Sequence, residues 1–280
     1  MGRDIRFDLA GRSTQDSRPM KQEQARVVEH YEFQGGYRLL RLVASEVGPQ
    51  VQPGQFIHLL VPRLEAAVLR RPFSVFKANV AGLTILYKPV GRGTEAMTRM
   101  REGDAVDVIG PLGRGFPVPD PDAFPLLIGG GYGSAALYLQ AARSVRKGVV
   151  FFGGRTARDI LCADEFEALG WEVRIATEDG SLGCRGLVTD ILDDWLAEHA
   201  EPVEVFACGP NGMLRAVGDR FIGTGRNAWL SMDRNMACGV GACLTCVIRL
   251  RDSAAPDGWK WGRCCKDGPV FNAREILWEE

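Results

Sequence analysis

No stretch of this chain approaches the roughly 20 consecutive apolar residues of a membrane-spanning helix, and its first residues lack the apolar core of a secretory leader. An excess of one charge is missing too. Against 34 Lys and Arg stand 35 Asp and Glu, a net charge of −1 that argues against a nucleic-acid surface. Histidine is scarce: His30, His58 and His199 are isolated, and none is assigned a role. Internal repeats and low-complexity tracts are absent. The expectation is a cytoplasmic protein that contacts neither membrane nor nucleic acid. Its 280 residues, 46% of them hydrophobic, suffice for two domains and a cofactor module.

Cysteine is not scarce, and its placement carries the chemistry. Cys238, Cys243 and Cys246 read C-x4-C-x2-C, and one more thiol follows at a distance, which is the ligand spacing of a plant-type 2Fe-2S cluster. Gly239 and Gly241 let the loop turn tightly and bring backbone N–H groups close to the sulfurs. Zinc fits poorly, since Cys238 and Cys243 are too far apart for a short knuckle and no His follows at x3 to x5. Disulfide staples belong to small secreted domains, which this chain does not resemble. Cys264 and Cys265 are adjacent, and on spacing alone either could be the fourth ligand. Of the other thiols, Cys162 is expected on an amphipathic helix and Cys184 in a turn, both without function.

The chain before the cluster divides in two. Residues 1–24 are polar and read as a flexible tail. From Ala25 onward, β-branched and aromatic runs alternate with turn residues such as Gly35-Gly36, Pro53-Gly54 and Ala81-Gly82, the rhythm of a small antiparallel barrel over residues 25–118 that closes near Phe116. One helix, Thr94 to Arg101 with Thr94 as N-cap, interrupts it. After the connector PVPDPDAFP, strands alternate with helices from residue 124 to 228, which predicts a parallel sheet covered on both faces. The first of these helices carries Leu137, Leu139 and Ala142 on its apolar side, and ARDILCADEFEAL reads as one continuous helix. Residues 229–280 form the cluster module, an appendage outside both domain cores.

Two sets of motifs suggest ligands. Gly129-Gly130-Gly131-Tyr132-Gly133 lies between an apolar strand and a helix, and Gly131 to Ala136 fits G-x-G-x-x-A, which lets a pyrophosphate approach the helix N-terminus. Cys208-Gly209-Pro210 ends another strand at the same edge, where open α/β sheets collect ligands. Glu178 and Asp179 end the third strand. A carboxylate there bonds a ribose hydroxyl and repels a 2′-phosphate, favouring NAD, while Arg155 and Arg158 keep NADP as the lesser alternative. In the barrel, the guanidinium of Arg71-Pro72-Phe73-Ser74 suits a diphosphate and its aromatic and hydroxyl groups suit a flat heterocycle. The turn Gly91-Arg92-Gly93-Thr94 offers N–H groups to another phosphate.

Together, R-P-F-S, G-R-G-T, G-G-G-x-G, C-G-P and C-G-V-G-A-C-L-T-C with C-x-D-G-P-V-F resemble the electron-transfer subunits of two-subunit, NAD-dependent dihydroorotate dehydrogenases, within the ferredoxin–NADP reductase superfamily. The resemblance covers about residues 25 to 280. It implies an antiparallel FAD-binding β-barrel, a Rossmann-like NAD domain and a C-terminal 2Fe-2S module. It further implies that Arg71 to Ser74 and Leu86-Tyr87-Lys88 bind FAD, with Gly93 and Thr94 at its phosphates, and it selects Cys265 over Cys264 as the last ligand. Ala135-Ala136 stands where relatives often have Ala-Pro.

NADH gives up a hydride, a cluster accepts single electrons and a flavin exchanges either, so a chain with all three is a relay. Nothing in its length holds a further substrate barrel. The resemblance therefore implies an FMN-containing partner that oxidises dihydroorotate in pyrimidine biosynthesis, assembled as a heterotetramer. The rival expectations are the same relay serving a hydrogenase or sulfide-linked reductase, and a non-catalytic nucleotide-binding module with a structural metal site. Val240, Leu244, Trp259 and Trp261 are the apolar groups expected either at the partner interface or packed around the cluster.

Overall fold

Alternating apolar and polar side chains in the N-terminal third give strands with one buried face, and seven of them wrap around a single core. A computed structural model describes residues 20–62 and 69–279. The strands are β1 (Lys21–Glu32), β2 (Arg38–Val43), β3 (Phe56–Leu59), β4 (Arg71–Ser74), β5 (Lys77–Asn79), β6 (Gly82–Tyr87) and β7 (Ala105–Leu112), with helix α1 (Arg92–Met97) between the last two. All their pairings are antiparallel, in the order β4-β3-β7-β1-β2-β6-β5. Closure comes from the run Arg71 to Asn79, which carries both β4 and β5. Val75 N–H bonds to Gln55 on the β3 side, and Phe76 N–H bonds to Thr84 of β6. Val27, Leu40, Leu42, Ile57, Leu59, Ile85, Val106 and Val108 fill the interior.

Two expectations shift here. The strand that was to begin at Ala25 begins at Lys21, because Lys21 to Arg26 pair with Gly110 to Ala105. That extension rests on the backbone ladder and on Gln22 and Gln24 donating to the Asp107 carboxylate, so hydropathy did not mark it. As for the rest of the expected tail, residues 1–19 lie outside the described residues. Helix α1 starts earlier and ends sooner than expected. Gly91 is its N-cap, and Thr94 sits at the third helical position, where its Oγ1 accepts from the Val90 and Gly91 N–H groups.

The second sheet runs β11-β10-β9-β8-β12-β13-β16, the last being Val270–Asn272, and is parallel except at that strand. Its elements in chain order are β8 (Phe124–Gly130), α2 (Gly133–Arg143), β9 (Val149–Gly154), α3 (Ala163–Ala168), β10 (Glu172–Thr177), β11 (Cys184–Arg185), α4 (Val188–Glu198), β12 (Val203–Cys208), α5 (Asn211–Phe221) and β13 (Ala228–Ser231). Both faces are covered, so the central strands are almost continuously apolar. Leu127, Val150, Phe152 and Phe206 face a layer that includes Tyr37, Leu39, Leu86 and Phe116, welding the barrel to this sheet. Leu126, Ile128, Phe151 and Val205 face the other way.

On α2 the buried face carries Ala141, and Ala142 is exposed. The helix expected over ARDILCADEFEAL is broken. Cys162 takes a left-handed conformation, φ 62°, and precedes the short α3, so it is a buried junction residue and not part of a helical face. Cys184 lies in the two-residue β11.

The C-terminal segment is not an appendage. It contributes β14 (Val247–Arg251), β15 (Trp259–Arg263) and β17 (Ile276–Leu277) to a small antiparallel sheet, and β16 (Val270–Asn272) pairs antiparallel with β13 as the last strand of the nucleotide sheet. Cys246, Ile248, Leu250, Phe271 and Ile276 share one core with Leu126, Ile128 and Phe151. A boundary at residue 229 would cut β13 in two. The segment also touches the barrel connector, where Arg114 N–H bonds to Gly268 and a Cβ on Gly113 would lie 2.6 Å from the same carbonyl.

Phe271 fastens this junction. Added Cβ atoms at Gly268 and Gly262 would come within 2.2 and 3.7 Å of its ring. Truncation to Phe271→Ala should cost about 3–5 kcal/mol, read by urea denaturation as an earlier but still single transition for the nucleotide sheet and cluster segment. A loss below about 1 kcal/mol, or two separate transitions, would show that the segment is peripheral.

Candidate functional site

Three sites lie side by side along the seam between the barrel and the nucleotide sheet. The first is a cleft of about 460 Å³ between β4 and β6 on one side and α2, β12 and the segment after β13 on the other. Pro72, Phe73, Ser74, Leu86, Tyr87, Lys88 and Thr94, all singled out in the sequence, line it, with Cys208 opposite. The Tyr87 ring meets Phe73 edge-on at 5.9 Å, and its hydroxyl is 2.9 Å from His30 Nε2. Burial pushes the Tyr87 phenol up to about 12, so it stays a neutral hydrogen-bonding group. Arg71 is not in the lining. Its guanidinium lies against the α1 turn, where a Cβ at Gly93 would be 2.6 Å from Nε, and it donates to the Leu69 carbonyl. The two phosphate-binding candidates of the barrel are thus adjacent.

A second cleft, about 500 Å³, opens at the C-terminal ends of β8, β9 and β12. Gly130, Gly131, Glu178 and Pro210 line it. Gly129, Gly133 and Gly209 do not, and their role is packing: a Cβ at Gly133 would be 2.2 Å from the Cys208 carbonyl, and one at Gly209 2.5 Å from Met213. Asp179 is also outside. Its carboxylate accepts from the Ser181 N–H and hydroxyl at 2.9 and 2.6 Å, bonds that hold it below the usual carboxylate range and fold it onto its own turn. Glu178 alone of that pair faces the cleft.

Tyr37, Tyr132, Arg155 and Asp159 line both clefts, so the two are continuous. Tyr37 and Asp159 carry no sequence signal, because they are assembled from β-barrel and nucleotide-domain loops far apart in the chain. Tyr132 donates to Asp233 at 2.6 Å. Burial first, and then the Asp233 charge, hold the Tyr132 phenol well above its ordinary value.

The third site is the thiol loop. Gly239 and Gly241 have φ of 71° and 86°, and the resulting turn aims the N–H groups of Val240, Ala242 and Cys243 at Cys238 Sγ, at 3.5, 3.3 and 3.4 Å. Such a nest suits a sulfur that bears metal-bound negative charge. The Thr245 hydroxyl, 3.2 Å from Cys243 Sγ, pulls that thiol down to about 6. The neighbouring Cys265 holds Cys246 down to about 6, while Cys246 and burial hold the Cys265 thiol well above its ordinary value. Cys265 N–H points at Cys246 Sγ, at 3.4 Å.

Among the described residues, no three His, Cys, Asp or Glu side chains converge on a single ion. Backbone bonds link the thiols two by two, Cys243 N–H to Cys238 Sγ and Cys265 N–H to Cys246 Sγ, and a two-iron cluster takes four thiolates. Cys265 borders a cleft together with Gly239 and Val240, whereas Cys264 is wholly buried and its thiol is pushed up to about 12 by that burial. The turn carrying them is locked by the paired Arg263–Asp267 hydrogen bonds at 2.9 and 3.0 Å. The residues present fit an iron–sulfur group.

His58, given no role from sequence, sits between these sites. It is fully buried in β3, and among the described residues neither ring nitrogen has a partner. Burial, with Arg70 and Arg71 nearby, lowers it to about 4, so it is neutral. A Cβ at Gly239 would come within 2.6 Å of its Nδ1 and Cε1.

Comparisons with known proteins agree with this geometry. The family described as the iron-sulfur cluster binding domain of dihydroorotate dehydrogenase B matches residues 233–277, and the oxidoreductase NAD-binding domain matches residues 127–219. The electron transfer subunits of dihydroorotate dehydrogenase B (NAD(+)) from Bacillus cereus (strain Q1) and Bacillus anthracis (strain A0248) are each 36% identical over 265 residues, covering 92% of this chain and 99% of theirs. Among solved structures, an NADH-dependent reduced ferredoxin–NADP oxidoreductase studied for flavin-based electron bifurcation superposes with a TM-score of 0.79 at 26% identity, over 91% of this chain and 90% of that one. A ferredoxin reductase of carbazole 1,9a-dioxygenase shares the fold at a TM-score of 0.64 and 24% identity, over 75% of this chain and 68% of its own.

The close fit of Gly133 beneath Cys208 gives a direct check of the packing between α2 and β12. Gly133→Ala should drive α2 from β12 at a cost of about 1–3 kcal/mol, seen as a fall of several degrees in the unfolding midpoint. Gly212→Ala, where an added Cβ meets nothing within 4 Å, should show no such fall. Equal midpoints for the two variants would mean that the contact relaxes freely.

Proposed function

From the premise that this chain belongs to the electron-transfer subunits of dihydroorotate dehydrogenase B, we propose that it relays electrons from a dihydroorotate-oxidising catalytic subunit to NAD+. FAD occupies the cleft between β4 and β6, the dinucleotide occupies the cleft at Gly130 and Gly131, and Cys238, Cys243, Cys246 and Cys265 hold a 2Fe-2S cluster. A flavin trades electron pairs with a nicotinamide and single electrons with a cluster, which is why it belongs between them. The observation that carries this reading is the continuity of the three sites. Tyr37, Tyr132, Arg155 and Asp159 border both clefts, and the cluster loop packs through Gly239 onto the strand beside β4.

The chain's own groups have distinct tasks. Phe73 and Tyr87 supply flat apolar contact, the Ser74 hydroxyl and Lys88 ammonium supply donors, and Arg71 with the Gly93-Thr94 turn supplies charge and N–H groups for a diphosphate. Glu178 faces the nucleotide cleft with a negative charge, which suits a ribose hydroxyl and opposes a 2′-phosphate, so NAD is preferred over NADP. Cys243 and Val240 are exposed, which puts the cluster loop where a partner can reach it. That partner carries FMN, and its dimerisation makes the assembly a heterotetramer. Trp259 and Trp261, packed edge-on at 5.1 Å and half-buried on β15, extend the docking face. Among the described residues no helix is long and apolar enough to cross a membrane, and a cytoplasmic site of action is part of this reading.

The similarity to a ferredoxin–NADP oxidoreductase supports a second reading, the same relay with another partner, at 26% identity against 36%. The catalytic test separates them. Alone, the chain should oxidise NADH in preference to NADPH with an artificial acceptor and leave dihydroorotate untouched; with its partner it should reduce NAD+ from dihydroorotate. A co-purified partner without FMN favours the other relay, and dihydroorotate oxidation by the isolated chain overturns both.

Ligand assignment has its own check. Cys265→Ser should lose most of the iron, while Cys264→Ser, whose side chain only fills the core, should keep it. Equal iron loss, or loss confined to Cys264→Ser, contradicts the assignment.

A further inference from the structure

The two free nitrogens of His58 call for an explanation, since buried polar groups almost always have partners. Three elements surround the ring. Its strand neighbour Phe56 and its cross-strand partner Pro72 both line the flavin cleft. Phe56 also meets the imidazole edge-on at 5.9 Å. On β7, Ile109 is its register partner. The remaining side is the cluster loop, and there the Nδ1–Cε1 edge abuts Gly239, the residue after Cys238. Gly239 thus has two reasons to lack a side chain: its φ of 71°, and the ring that fills the space a Cβ would need. Among the described residues none satisfies the imidazole, and the edge that carries Nδ1 faces the residue next to Cys238.

We propose that His58 is a positioning residue for the cluster: its ring N–H donates to a sulfur of the 2Fe-2S group, which fixes the loop against the flavin-bearing strand and raises the cluster's reduction potential. The direction follows from charge. Reduction adds an electron to the cluster, a donor to sulfur favours the more negative state, and hydrogen bonds to sulfur are among the levers that set such potentials. The arrangement would make one side chain the common wall of flavin cleft and cluster loop. This inference rests on the cluster assignment made above and assigns a function to a residue outside the ligand set.

The test uses the full chain with its cofactors, after iron and absorption have established that the cluster is present; absence of a cluster would fail the assignment itself and not this inference. The chain has only three histidines, so 15N-histidine labelling gives a tractable pulsed electron paramagnetic resonance spectrum of the reduced cluster. A weak 15N coupling is expected, and it should vanish in His58→Gln but persist in His30→Gln and His199→Gln. In a redox titration, His58→Leu should lower the equilibrium constant for cluster reduction about tenfold, which is 59 mV for a one-electron couple, while His58→Gln, which keeps an N–H donor, should recover part of the shift. If His58→Leu fails to fold, the labelled wild-type spectrum still decides. No histidine coupling in the wild type, or a cluster potential unchanged in His58→Leu, overturns the proposal.

Discussion

The antiparallel ladder between β13 and β16 is the constraint on which the rest of this structure depends. It sets Val270 opposite Ser231 and Phe271 opposite Leu230, and so it delivers Pro269 to the wall of the flavin cleft and the Cys264-Cys265 turn to the edge of the same seam. With it, the thiol loop is held on one side by the core of the nucleotide sheet and on the other by the barrel, through Gly113, Arg114 and Gly239. An electron relay needs that rigidity, because a transfer between fixed centres demands little rearrangement of the protein around them.

Each site is specialised by a different physical means. The nucleotide cleft depends on missing side chains: Gly130 and Gly131 open it, and Gly133 and Gly209 let helix and strand come close enough to shape it. In the flavin cleft the means are aromatic and polar surface on neighbouring strands, with Tyr87 kept neutral by burial. Around the thiols they are N–H donors, three of them on Cys238 Sγ and that of Cys265 on Cys246 Sγ. The adjacent Cys264 shows how sharply position decides role. One residue away from a ligand candidate, it is a core side chain with a thiol that burial keeps protonated.

Much of this was legible in the sequence where chemistry depends on residues close together in the chain. The C-x4-C-x2-C loop, the Gly-rich turn after β8 and the R-P-F-S strand each carry their own spacing; Gly130 and Gly131 of the turn and Pro72, Phe73 and Ser74 of the strand line clefts, while Arg71, Gly129 and Gly133 do not. What depends on distant segments was not legible. Tyr37 and Asp159 meet only because barrel and nucleotide sheet pack together, and Asp233 is joined to Tyr132 across a hundred residues of chain. The polar start of β1 is a strand because β7 pairs with it, which no apolar pattern announces. Cys162 broke an expected helix because a left-handed backbone at one residue leaves hydropathy unchanged. His58 gave no signal at all, since a lone histidine in an apolar strand shows its missing partners only in three dimensions.

The central claim is that electrons from the catalytic subunit reach FAD by way of the thiol loop. The most direct measurement is rapid mixing of dihydroorotate with the assembled complex, intact and cluster-depleted, following FAD reduction by absorption. The account predicts prompt FAD reduction in the intact complex and loss of at least two orders of magnitude in its rate, about 2.7 kcal/mol of barrier, when the cluster is missing and both flavins are retained. FAD reduction at an unchanged rate in the cluster-depleted complex would contradict it.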